Sequence, residues 1–191
     1  MSKIIFDISM SLDGFIAGSN VSPELPMGEG GEQLHDWLFA KKTDIDTKVL
    51  TELIETSGAV IVGGRTYSLG IDHGWGGRSP FQVPAFVLTR HVPEKLIEGF
   101  TFVTTGIESA ITQAKAVAGN KNIWIMGGAT VAQQYIKAGI PDEIHIHLIP
   151  VLLGSGTRLF DHPISKQVEL EKIKLIETPA ATHLRYRVVR K

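Results

Sequence analysis

Two short segments share a pattern suited to holding phosphate. Val62-Gly63-Gly64-Arg65-Thr66 and Met126-Gly127-Gly128-Ala129-Thr130 each set paired glycines between an apolar run and a helix-forming stretch. A helix start offers free N–H groups and the positive end of its dipole, and glycine lets an anion approach without a Cβ in the way. Arg65 and Thr66 add a cation and a hydroxyl to the first segment. Two such points suit a ligand with a bridging pyrophosphate, such as a dinucleotide; the bland alternative is a pair of tight strand-to-helix turns. Neither segment is a G-x-G-x-x-G fingerprint. A third segment, Leu88-Thr89-Arg90-His91, also follows an apolar run. Its Thr/Arg pair suits the 2′-phosphate that separates NADP from NAD, or is simply a solvated loop.

The elements that must position these residues follow from periodicity. Lys3–Met10 alternates as a first strand, and Ser11–Gly31 is a long Gly/Pro-rich loop of the functional or mobile kind. Glu32–Phe39 reads as a short helix and Asp44–Thr56 as a second, capped by Thr43 or Asp44 and ended by Gly58. Ala59–Val62, Pro84–Leu88, Phe100–Thr104 and Asn122–Met126 read as strands, interleaved with helices at Ile107–Ala118 and Ala129–Ala138. That order predicts a parallel sheet with crossover helices. Glu143–Leu152, Val168–Glu177 and Thr182–Val189 alternate without intervening helices, so antiparallel pairs should complete the sheet. No linker or repeat divides residues 1–191, which points to one domain.

Composition excludes several classes of chemistry. There is no cysteine, which removes disulfides, thiolate metal sites and cysteine nucleophiles. A formal net charge of −1 gives no basic footprint for nucleic acid. No stretch reaches the about 18 apolar residues of a membrane span, and the N-terminus makes a poor signal peptide, so a cytoplasmic location is expected. His145 and His147 lie two apart and share one strand face; spacing places no third metal ligand, so they read as strand histidines on a polar or subunit-facing side, with no metal. Trp37, Trp75 and Trp124 read as core or pocket walls, and Phe160 as part of the pocket mouth.

Taken in order, Ser9–Ala17, Gly63–Tyr67, Leu88–Arg90 and Ile125–Ala129 resemble the dihydrofolate reductase superfamily. Asp142-Glu143 and Pro150–Gly156 extend the match toward the branch resembling the C-terminal reductase domain of the riboflavin-biosynthesis deaminase-reductase. The resemblance implies an α/β, dihydrofolate reductase-like three-layer sandwich, its mostly parallel central sheet completed by antiparallel C-terminal strands. It implies NADPH across the strand ends and hydride transfer to a small planar heterocycle, pterin- or pyrimidine-like. Gly63, Gly64, Arg65, Thr66 and Tyr67 with Leu88, Thr89 and Arg90 would hold phosphates and adenosine. Met126, Gly127, Gly128, Ala129 and Thr130 would adjoin the pyrophosphate and nicotinamide ribose, with a cis Gly127–Gly128 peptide, and Ile16 and Ala17 would flank the nicotinamide. Such reductases use an acid on the first helix; Asp36 lies near that position and Asp13 is the other candidate, although a solvated helix face and turn chemistry explain them equally well. Riboflavin-pathway reductases carry a glutamate before the paired glycines where this chain has Met126, which argues against a ribosylaminopyrimidine substrate. A homodimer through the C-terminal strands is expected, Glu143–Leu152 and Thr182–Val189 offering the long alternating segments, with the His145/His147 face left for solvent or the partner and repelling on acidification. The alternatives are a non-catalytic NADP-binding sensor or subunit, and a purely structural interaction domain.

Overall fold

The computed structural model describes residues 2–161 and 167–190. Its strands are β1 (Ile4–Ser11), β2 (Phe15–Ala17), β3 (Ser57–Gly63), β4 (Ala85–Leu88), β5 (Phe100–Val103), β6 (Asn122–Gly127), β7 (Glu143–Ile149), β8 (Thr157–Arg158), β9 (Glu169–Glu177) and β10 (Thr182–Val189). The helices are α1 (Asp44–Thr56), α2 (Gly64–Leu69), α3 (Ile107–Ala118) and α4 (Ala129–Lys137). Eight strands form one sheet in the order β5-β4-β3-β6-β1-β7-β10-β9. Pairing is parallel from β5 to β7 and antiparallel from β7 through β10 to β9. Strand-helix alternation ends after α4, and with it the crossovers that parallel pairing needs.

Period-two alternation sends one sheet face to α3 and α4 and the other to α1 and α2. Ile4 and Phe6 of β1, with Ile61 and Ile125, pack on Ala110, Ile111, Val131 and Tyr135. On the other face Ile5, Val60, Val62 and Trp124 meet Leu53 and Tyr67. Each Val, Leu, Ile or Phe among them, fully buried, contributes roughly 1.5–3 kcal/mol. The result is an α/β three-layer arrangement, mostly parallel with an antiparallel end.

Helix α1 keeps the sequence-derived bounds because Thr43 and Asp46 form a reciprocal capping box. Three expectations change. Gly58 does not end the helix: β3 begins at Ser57, whose hydroxyl donates to Leu53 O at 2.7 Å. Gly58 lies within β3, where only glycine fits, since a Cβ there would stand 2.4 Å from Ala118 O. The expected helix over Glu32–Phe39 is a 3-10 helix, Gly31–His35, followed by turns. Its bonds run short, Asp36 N–H to Gln33 O and Leu38 N–H to His35 O, and this spacing lets Leu34 and Trp37 both turn inward. The long loop after β1 also contains β2, which pairs with β8 as a second, two-stranded sheet.

Candidate functional site

Three of the sequence-derived segments meet at the C-terminal ends of β3, β4 and β6. Val62 pairs with Gly127 and Gly63 with Leu88. A Cβ on Gly64 would lie 2.7 Å from Thr89 Oγ1, and one on Gly128 would lie 3.4 Å from Thr66 Oγ1. Paired glycines therefore do more than permit turns: they let the three segments close on one another. The Gly127–Gly128 peptide is cis, and Gly127 has φ 118°, in the region that favours glycine. No side chain caps α4 at Gly128 or α2 at Gly63, so the first amides of α4 remain open to an anion. Arg65, Arg90 and Thr130 are exposed around this junction. Arg65 donates to Val21 O at 3.3 Å, tethering the long loop.

Beside this junction β1 and β6 part. Their pairing ends at Phe6 with Ile125, while β1 continues along β7 to Ser11. Ile8 lies against Gly127, its Cδ1 3.0 Å from where a Cβ would be. Parting strand ends in an open α/β sheet are where ligands enter.

Other predicted residues have different surroundings. Tyr67 is fully buried, its hydroxyl donating to Lys95 O and accepting from Ile97 N–H, with Phe100 and Phe102 edge-on to its ring; it braces the core behind the junction and does not face a ligand. Leu88 and Ile16 are buried in the same core cluster, Ala129 packs partly against it, and Met126 lies partly buried on the opposite cluster. Ala17 is half-buried in β2, paired to Thr157. Asp13 accepts from Ser11 Oγ at 2.6 Å and from the amides of Leu153 and Gly154, and the Ser11 hydroxyl, followed by those amides, holds its carboxyl down to about 2. This ionised carboxylate ties the β1 turn to the segment after β7, the turn role its Asp-Gly context allowed. Asp36 is not on an α-helix; it pairs with Lys41 at 2.7 Å.

The histidine face is the main correction. His145 and His147 face neither solvent nor a partner: they are buried inside the protomer at 5% and 4% exposure, His147 under Trp37 and His145 against Glu143 and Asp7. Trp37 donates from Nε1 to Ser9 Oγ at 2.9 Å and lays its ring on His147, so it is a wall of this polar layer. Trp75 stacks on Phe100 and Trp124 is buried in the same cluster beside Phe81, both as core. His147 Nε2 lies 3.1 Å from both oxygens of Asp7, and its Nδ1 lies 2.7 Å from Nδ1 of His183. His183 Nε2 contacts Asp46 Oδ1 at 2.8 Å. Burial alone would raise the Asp7 carboxyl, but the charge of His147 and then bonds from His145 and His147 hold it well below the usual range. His145, with Nε2 2.9 Å from Glu143, is raised: burial opposes this, but Asp7 and Glu143 outweigh it. The pairing of Asp7 with His145 and Ser9 with His147 across β1 and β7 carried a signal: two polar residues alternate on each of two apolar strands. Among the described residues no cluster of His, Asp or Glu has metal-binding geometry.

Comparison with known proteins agrees with this architecture. Bacillus subtilis (strain 168) YwjB is 29% identical over 176 residues, covering 88% of this chain and 87% of YwjB. A putative riboflavin biosynthesis protein from Shewanella sp. PV-4 superposes with TM-score 0.74 at 26% identity, with 100% of both chains covered. Dihydrofolate reductase from Enterococcus faecalis, solved complexed with NADP(H), superposes with TM-score 0.63 at 18% identity over 97% of this chain and 96% of that one, a likeness of fold. The model of the RibD C-terminal domain matches residues 2–184. With its dihydrofolate reductase-like sheet and its glycine-lined strand ends, the chain belongs to the RibD C-terminal domain family.

Proposed function

We propose that this protein is a reductase that binds NADPH and delivers its hydride to a small planar heterocycle, with pterin- and pyrimidine-like rings as the first class to test. The observation carrying this reading is the convergence of Gly63–Thr66, Thr89-Arg90 and Gly127–Thr130 at the parted ends of β1 and β6. The residues fit the cofactor: uncapped amides at Gly128–Thr130, hydroxyls on Thr66, Thr89 and Thr130, and guanidinium groups on Arg65 and Arg90. Arg65 and the amides of α4 would hold the pyrophosphate, and Thr89 with Arg90 the 2′-phosphate. When bound, the cofactor supplies the hydride. Ile8, packed against Gly127, would give the ring an apolar floor that helps to exclude water where alignment matters.

Of the two acids marked in the sequence, Asp13 is committed to its turn. Asp36 is held by a lysine whose side chain is 66% exposed, a pairing weak enough to exchange, and it is the proposed proton carrier. Met126, apolar and partly buried against the Trp124 cluster, offers no acceptor to a ribosylaminopyrimidine. Calorimetry should find NADPH tighter than NADH, and loss of nicotinamide absorbance across a heterocycle panel should identify the acceptor. Equal affinity for the two cofactors would refute the NADP reading. A second reading, an NADP-binding sensor, is favoured by the pairing of both acids elsewhere, and NADPH binding without oxidation by any acceptor would establish it.

A further inference from the structure

The polar layer beneath α1 uses every nitrogen of two buried imidazoles. His147 turns Nε2 to Asp7 and His183 turns Nε2 to Asp46, while their Nδ1 atoms meet each other at 2.7 Å. Flipping either ring would set a carbon at that 2.7 Å contact, too close for C–H against N. The proton count follows from these contacts. A carboxylate only accepts, so each Nε2 carries a hydrogen, and the short Nδ1–Nδ1 contact needs one hydrogen between two acceptors. Three hydrogens on two rings make one positive charge.

We propose that His147 and His183 share a single proton, forming a buried N–H···N bridge that fastens α1 and the Trp37 wall to the sheet and opens when that proton is lost or a second is added. Removing the shared proton leaves two lone pairs face to face; adding another leaves two N–H groups face to face. Either state breaks the contact at the junction of β7, β10 and α1.

The surroundings fit one charge. Asp7 of β1 and Asp46 of α1 flank the bridge as anions. Beyond them, His145 and Glu143 of β7 pair with each other and Lys3 pairs with Glu143. Arg185 of β10 is held by Glu52 of α1, which Lys174 of β9 also contacts. His35, at the end of the 3-10 helix, is kept neutral by burial and then by the positive field of His147. His183 is lowered by burial and then by His147, in keeping with refusal of a second proton. Trp37 covers both rings, its centroid 4.2 Å from His147 and 5.0 Å from His183.

The test uses the full chain labelled with 15N-histidine. Across neutral pH, both Nε2 atoms should appear protonated, both Nδ1 atoms should share one hydrogen, and one far-downfield proton protected from exchange should couple to them. In Asp46→Asn, which removes one flanking charge, that resonance should vanish at a lower pH than in the wild type on the alkaline side. Two independently titrating rings in the folded wild type, or no protected bridge proton at any pH where the protein is folded, would overturn the proposal. Because the wild-type spectrum decides, a variant that does not fold leaves the test intact.

Discussion

Single side chains make the sharpest predictions. Arg65→Ala should weaken NADPH by roughly 1.5–3 kcal/mol, the worth of a charge-assisted bond, or about ten- to a hundredfold in the dissociation constant. Unchanged calorimetric affinity would remove Arg65 from the phosphate site. His35 is lowered from the ordinary 6.5 to about 4, with its Nδ1 buried and unpartnered. The folded state thus keeps His35 neutral while the unfolded chain takes up a proton below 6.5. Stability should therefore fall as pH drops from 6.5 toward 4, by up to about 3 kcal/mol from this group. Urea midpoints of His35→Gln should fall less over that range than those of the wild type; parallel curves would exclude His35. Tyr67 shows why residue roles were only partly legible. Its neighbours in Gly63–Thr66 sit at the strand end, but one helical step turns its ring into the aromatic cluster, and no local motif marks that turn.

Elements were more legible than their side chains, because periodicity and caps are local. Helix α1 began where Thr43 and its capping partner placed it, and α3 kept its predicted bounds, Ile107–Ala118. Thr43→Ala should cost about 1 kcal/mol, read as a drop of a few degrees in melting temperature; no change would mean that tertiary packing alone holds this end. Gly58→Ala should be costlier although it is a small change in a strand, because Ala118 O occupies the site of the new methyl. If its unfolding midpoint matches the wild type, β3 and the end of α3 are not held that closely. Where pattern reading failed, tertiary contact decided. The 3-10 helix bends to deliver Leu34 and Trp37 to one cluster, and β2 exists because β8, about 140 residues later, offers it a partner. The His face was misassigned for the same reason: alternation gives the face, not what covers it.

For the whole molecule, the antiparallel end leaves β9 as an edge. Leu170, Ile173 and Leu175 on it are 40–45% exposed, and an unpaired edge carrying apolar side chains is an association surface. The strands first expected to carry a homodimer, in Glu143–Leu152 and Thr182–Val189, lie inside the sheet as β7 and β10, so we propose that the dimer forms through the β9 edge instead, with the same patch of each subunit on its mate. Sedimentation of the wild type beside Leu175→Glu checks it: the wild type should run as a dimer and the variant as a monomer, and a monomeric wild type would exclude the assembly. The dimer should not loosen through His145 and His147, which lie inside each protomer.

The position of β1 has a consequence for how the chain is made. Strand β1 forms no ladder with its near neighbours in sequence; among the described residues it pairs with β6 and β7, and Lys3 finds its ion-pair partner at Glu143. Strands β3, β4 and β5 can assemble once residue 103 has emerged, but β1 joins them only when β6, ending at Gly127, supplies the strand between. For most of translation Ile4, Phe6 and Ile8 therefore hang from the nascent chain without their partners, a sticky ribbon of the kind that chaperones bind. Slow decoding between β5 and β6 would lengthen that exposure, whereas slow decoding after β10 would not.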